Sequence, residues 1–150
     1  MKKMKKKAGE IEMFKADTEH HLNLVYAEGG IYAGFPSPAQ DYLELSIDLN
    51  TELIQHPAAT FFGRVVGDSL QEAGVTEGDI LIIDKSLKPA NGDMCVCFLD
   101  GEFTLKFISY MKEDEIWLIP ANRNYQPIRV TKDNNFQIWG VVTYTIKRRR

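Results

Sequence analysis

Met94-Cys95-Val96-Cys97-Phe98-Leu99-Asp100-Gly101-Glu102-Phe103-Thr104-Leu105-Lys106-Phe107-Ile108 is the stretch on which the fold turns. Two apolar runs flank Asp100-Gly101, a dipeptide suited to the type I′ turn of a hairpin, whose two central positions both need positive φ. The predicted strands are Met94 to Leu99, preceded by the turn signal Asn91-Gly92, and Glu102 to Tyr110. Upstream, Thr60 to Val66 is aromatic and β-branched. Asp79-Ile80-Leu81-Ile82-Ile83-Asp84 is a short continuous apolar run of the kind buried on both faces. Downstream, Glu115 to Ile119, Ile128 to Thr131 and Phe136 to Ile146 supply further strands. The expectation is a mainly β core in one domain, without internal repeats or low-complexity segments.

Toward the N-terminus the pattern fades. The first thirty residues have few large apolar side chains and no sustained period, and end in Glu28-Gly29-Gly30. Gly34-Phe35-Pro36-Ser37-Pro38 follows, its prolines removing backbone donors and holding the chain extended. The expected organisation is a mostly irregular arm over residues 1–33 and a folded domain over 34–150. Asp48 to Ile54 can form a helical turn or two, stopped near Pro57, and nothing resembles a helix-turn-helix.

With 150 residues, 44% apolar and 26% charged, the composition is that of an ordinary globular domain. The net charge of −3 divides unevenly. Residues 1–33 hold six lysines against five acids, whereas residues 34–150 hold twelve Lys/Arg against sixteen acids. An acidic body is poor material for a phosphate-binding surface, so no direct sequence-specific DNA binding is expected. The basic ends, Lys2 to Lys7 and Lys147 to Arg150, read as solvated tails. Met1 to Lys7 looks like the start of a signal peptide, but the apolar stretch that must follow is replaced by polar Ala8-Gly9-Glu10-Ile11-Glu12. No run approaches a membrane span either, and a cytoplasmic protein is expected. Cys95 and Cys97 alternate on one strand face, too poorly placed to bridge each other and without the spaced partners of a metal site. Neither a metal nor an organic cofactor is expected.

In Val66-Gly67-Asp68-Ser69-Leu70-Gln71-Glu72-Ala73-Gly74 a strand ends in glycine and a serine opens a possible helical turn. Ser69 with Glu72 has the form of a capping box, and Gly74 is a fitting C-terminal stop. The same geometry suits a nucleophile, because it exposes a hydroxyl beside backbone N–H groups able to hold an oxyanion. His20 and His21 sit in the arm and His56 precedes Pro57, so a Ser-His-Asp triad lacks a core member. Gly-Asp-Ser-Leu also occurs in a lipase family, but those enzymes need a histidine near the C-terminus, and none follows His56. Gln71 likewise breaks the Gly-x-Ser-x-Gly elbow. A catalytic Ser69 therefore calls for a lysine base. Lys106 is the candidate, sharing a strand face with Thr104 and Ile108 while Phe103 and Leu105 share the other. By composition alone, an exposed position on an edge strand is favoured over an apolar pocket. Only the pocket would disfavour its charge, as a lysine base requires.

Gly67-Asp68-Ser69-Leu70, Gly78-Asp79, Gly92-Asp93 and Asp100-Gly101-Glu102-Phe103-Thr104-Leu105-Lys106 follow the order and separation of the LexA/UmuD family of self-cleaving peptidases. Pro120-Ala121-Asn122 and Tyr125-Gln126-Pro127-Ile128 resemble a later loop of that family, and the resemblance runs from about Tyr32 to Lys147. Leu70 stands where the family more often has methionine, a shape-conserving departure. The resemblance implies a LexA-like fold of compact, highly curved β-sheets. It also implies a Ser69–Lys106 dyad and self-cleavage at Ala33-Gly34, 36 positions before Ser69. The N–H of Ser69, with that of Asp68, would hold the oxyanion. Gly29-Gly30 is the weaker alternative cleavage site. Repressors of the family carry a longer DNA-binding segment before the cut, whereas Gly34 to Tyr42 resembles the start of processed UmuD-like members. For those, the resemblance implies an SOS role: cleavage promoted by the RecA filament on single-stranded DNA, then a shortened homodimer joining a UmuC-type translesion polymerase subunit. The rival expectations are a non-catalytic homodimeric interaction protein of the same fold and a truncated repressor peptidase domain.

Overall fold

The structure, a computed structural model, describes residues 2–8, 11–20, 23–26 and 45–150. In chain order its elements are β1 (Lys2–Ala8), β2 (Ile11–Lys15), β3 (Asn23–Tyr26), β4 (Leu45–Asp48) and the short helix α1 (Leu49–Leu53). There follow β5 (Thr60–Val65), β6 (Ile80–Asp84), β7 (Met94–Leu99), β8 (Glu102–Lys112), β9 (Glu115–Ile119), β10 (Ile128–Arg129) and β11 (Phe136–Ile146). The chain divides into two units: Met1–Ala16 with His56–Arg150, and Asp17–Gln55.

The larger unit is built on a nine-stranded sheet in the order β1-β2-β5-β6-β11-β7-β8-β9-β10. Its pairings are antiparallel throughout. The apolar run predicted to be buried on both faces is β6, held between β5 and β11 and almost wholly buried. Gly140 lets β11 come this close: a Cβ there would stand 2.6 Å from Ile83 Cγ2. Register shifts beside Gly140 and again between Val142 and Tyr144 bend β11, as bulges do. The sheet curls until β2 and β8, distant in strand order, approach each other. One face thereby encloses Ile11 and Met13 of β2, Leu81 and Ile83 of β6, Val96 of β7 and Leu105 of β8. On the other face Cys95, Cys97, Ile108, Leu118 and Val141 form a second cluster.

The hairpin that fixed the reading has the expected turn, with φ of 49° at Asp100 and 93° at Gly101. The Asp100 carboxylate accepts from Asn134 Nδ2 and from the N–H of Asn135, each at 2.8 Å, which ties the turn to the start of β11. The helical turn also forms, Asp48 capping α1 through the N–H of Asn50 at 3.0 Å. In the smaller unit β3 pairs with β4.

The mainly β expectation holds, but the described parts of residues 1–33 include three strands that the sequence did not suggest. Ile11-Glu12-Met13-Phe14-Lys15 is only five residues long and its alternation breaks at Phe14, so it does not stand out beside a lysine run. It is nevertheless a strand of the sheet, with Ile11 and Met13 in the core and β1 paired to its outer side. Near the other end the Ile128 to Thr131 strand shrinks to Ile128–Arg129.

Candidate active site

Ser69 lies in a loop that leaves the sheet at the end of β5 and returns at β6. Two hydrogen bonds close the neck of this loop, Val65 N–H to Asp79 O and Gly78 N–H to Val65 O, both 2.9 Å. Leu70 and Val75 sink into the core and anchor it. A 3-10 turn over Gln71–Ala73 ends at Gly74, whose φ of 82° is the left-handed conformation expected of a C-terminal stop. Ser69 is not the cap of that turn, however. Leu70 occupies the capping position without a side-chain bond, and Ser69 Oγ instead donates to the carbonyl of Leu105 at 3.0 Å. Glu72, the other half of the expected capping box, accepts from the N–H and Nε of Arg123.

Leu105 is the residue before Lys106, so the hydroxyl of Ser69 is drawn to the β8 backbone beside the lysine. Both side chains are shielded, Ser69 at 3% exposure and Lys106 at 3%. The edge position favoured for Lys106 is therefore overturned, because β8 lies between β7 and β9. Lys106 faces Cys95 across the ladder, and its Nζ donates to Thr104 Oγ1 at 2.6 Å. Burial pushes the Cys95 thiol up to about 12, with the Asp93 charge adding to it. Burial likewise pushes Cys97 up to about 12, reinforced by Cys95 and opposed by Lys106. Both remain protonated thiols inside the second apolar cluster.

A second segment straps the Ser69 loop from outside. The N–H of Ala121 donates to Ser69 O and the N–H of Glu72 to Ala121 O, each at 2.7 Å. Asn122 Nδ2 donates to the carbonyl of Asp68 at 2.9 Å, and Tyr125 Oη to the Asp68 carboxylate at 2.6 Å. The sequence reading had noted these residues only as part of a family-like loop. The Pro120-Ala121-Asn122 segment was the available signal, but nothing in the sequence tells which backbone groups it meets.

The remaining candidates have other partners or fall outside the described residues. Ala33 and Gly34 fall outside the described residues, as does His21. His20 pairs with Asp17, and His56 Nδ1 with the buried Asp84 carboxylate at 2.5 Å. Among the described residues no group of three or more His, Cys, Asp or Glu could hold a metal. No helix among them is long and apolar enough to cross a membrane.

Residues 24–143 match the Peptidase S24-like family. The chain belongs to that family. Protein SamA of Salmonella typhimurium is 45% identical over 118 residues, covering 79% of this chain and 81% of SamA. Protein ImpA of Escherichia coli is 42% identical over 118 residues, 79% of each chain. The LexA repressor of Leptospira biflexa is 38% identical over 127 residues, covering 81% of this chain but 61% of the repressor. The resemblance to LexA/UmuD peptidases thus extends over most of the chain, and the curled antiparallel sheet is consistent with it.

Proposed function

We propose that this S24-like protein is a self-cleaving serine peptidase that cuts its own Ala33-Gly34 bond. Ser69 Oγ attacks the Ala33 carbonyl while neutral Lys106 takes its proton. The N–H of Ser69, with that of Asp68, stabilises the oxyanion. Collapse of the tetrahedral intermediate breaks the C–N bond, and the proton held by Lys106 goes to the departing amine of Gly34. Water then hydrolyses the ester on Ser69, leaving the Ala33 carboxylate and free Ser69. The observation that supports this reading is the hydrogen bond from Ser69 Oγ to the carbonyl of Leu105, the residue before Lys106, with Ser69 and Lys106 both shielded. Asn122 supports it by gripping the carbonyl of Asp68, which holds the trans peptide that presents the Ser69 N–H.

The relatives support a biological setting for this chemistry. Identity is higher with SamA and ImpA, at 45% and 42%, than with the LexA repressor, at 38%, which favours a UmuD-like SOS mutagenesis role over repression. In that role residues 1–33 are the removable arm and 34–150 the peptidase domain. The RecA filament on single-stranded DNA promotes the cut in the cytoplasm, and the processed homodimer serves a UmuC-type translesion polymerase subunit. Intact-mass measurement after incubation at mildly alkaline pH tests the chemistry. A fragment beginning at Gly34 is expected from the unsubstituted chain and from neither Ser69→Ala nor Lys106→Ala. The same fragment at undiminished rate from Ser69→Ala removes Ser69 from the mechanism.

A further inference from the structure

We propose that the outer edge of β5 is a strand-binding surface whose occupant is Ile11–Lys15 of this chain's own N-terminal segment, and that this strand stays seated after the chain is cut. The inference rests on the proposed cleavage at Ala33-Gly34 for its biological meaning. Five residues of β2 pair with β5 in unbroken register, from Ile11 opposite Val65 to Lys15 opposite Phe61. Alternate side chains enter the core, leaving Ile11 at 0% and Met13 at 1% exposure. On the opposite face Phe14 is also buried, with the Arg64 guanidinium 5.5 Å from its ring centre.

The receiving strand is shaped for this occupant. Gly63 lies opposite Met13, and a Cβ at Gly63 would stand 2.9 Å from Ile11 Cγ2 and 3.1 Å from Ile83 Cδ1. The space a side chain would fill on β5 is thus already filled by β2. None of these contacts involves the scissile bond, which lies 18 positions beyond Lys15. Cutting it removes a covalent tether and leaves every β2–β5 contact intact. Departure of the fragment is a separate event, one that unpairs the edge of β5 and uncovers apolar core. The cut and the opening of β5 are then two steps, and partners that need this edge wait for the second.

The test makes the cut without Ser69. In a full-length Ser69→Ala chain, residues 27–30 are replaced by the recognition sequence of an added protease, and the digested protein is run on gel filtration at micromolar concentration. The N-terminal fragment is expected to co-elute with the body, and native mass spectrometry to give the mass of both pieces together. Adding Ile11→Asp and Met13→Asp is expected to weaken retention at least roughly a hundredfold, because two carboxylates would have to enter the apolar face. A fragment that elutes free without those substitutions overturns the proposal. Amide exchange needs no core substitution: β5 is expected to stay as protected after the cut as before, and loss of that protection also overturns it. Failure of self-cleavage would show instead as no Gly34 terminus in the unsubstituted chain, leaving the retention result unaffected.

Discussion

Asn122 holds the carbonyl end of the Asp68–Ser69 peptide, so removing it separates positioning from proton transfer. Asn122→Ala is expected to slow self-cleavage by about ten- to a hundredfold through misaligned approach, while costing about 1–3 kcal/mol of stability for its two side-chain bonds, to the Asp68 carbonyl and from the Asn124 N–H. Rates taken well below the melting temperature decide the matter, and an unchanged rate there would remove Asn122 from the mechanism. The two cysteines give a simpler test. Thiols pushed up to about 12 by burial are not thiolates at pH 8, so iodoacetamide is expected to label neither until denaturant unfolds the chain. Labelling of the native protein at the unfolded rate would refute the buried placement. At Asp84, burial raises the carboxyl, but hydrogen bonds from Ser86 Oγ, His56 and the Ser86 N–H outweigh it and hold it below the ordinary carboxylate value. A carboxyl lowered on folding stabilises the folded state above its unfolded value. That stabilisation is lost as pH falls through the folded value. The stability advantage of the unsubstituted chain over Asp84→Asn, about 1–3 kcal/mol near neutrality, is therefore expected to shrink progressively as pH falls below the ordinary carboxylate range. Urea midpoints across that range measure it, and an advantage that grows on acidification contradicts the assignment.

At the scale of elements, what the sequence made legible is what local chemistry dictates. Asp100-Gly101 accepts two positive φ angles, so the β7–β8 hairpin could be placed to the residue. The unbroken apolar run of β6 announced a strand buried on both faces. Whether β8 was an edge or an interior strand was not legible, because that depends on β9 pairing along its other side. The environment of Lys106 was hidden with it. The strand β2 was missed for a related reason: its few alternating residues gain their stability from long-range burial against β5 and β6, not from local propensity. Ser69 and Lys106 could be singled out as a pair, but the Leu105 carbonyl between them and the Ala121–Asn122 strap could not. Those bonds involve backbone groups, which every residue carries alike. Gly140 is the element-scale counterpart of these contacts. Gly140→Ala puts a Cβ 2.6 Å from Ile83 Cγ2 and 3.4 Å from the Asp84 carbonyl. Because Ile83 is fully buried and cannot withdraw, a loss of about 1–3 kcal/mol is expected. Chemical denaturation measures it, and a neutral result would mean that β11 sits farther from β6 than described.

For the whole molecule, the proposed chemistry must contend with a lysine whose useful form is the neutral one. An ordinary lysine is neutral in roughly one molecule in 2,500 at pH 7, so the unassisted reaction is expected to be slow near neutrality. Its rate should climb about tenfold per pH unit while the neutral fraction grows in proportion to hydroxide, and then level off. Seating residues 33 and 34 over Ser69 would hold the scissile carbonyl in line with the nucleophile. A promoter such as the RecA filament then needs to add no catalytic group. It suffices that the filament binds the chain with the scissile segment seated more tightly than the chain with it unseated, since a ligand shifts a conformational equilibrium only by its differential affinity. Two consequences can be checked together in initial-rate profiles from pH 6 to 11, with circular dichroism at each point to exclude unfolding. Without RecA the profile is expected to rise steeply. With RecA the rate at neutral pH is expected to increase, because more molecules already hold the seated form. Lys106→Ala is expected to abolish both profiles. A flat profile without RecA, or a rise that persists undiminished in Lys106→Ala, would rule out Lys106 as the base.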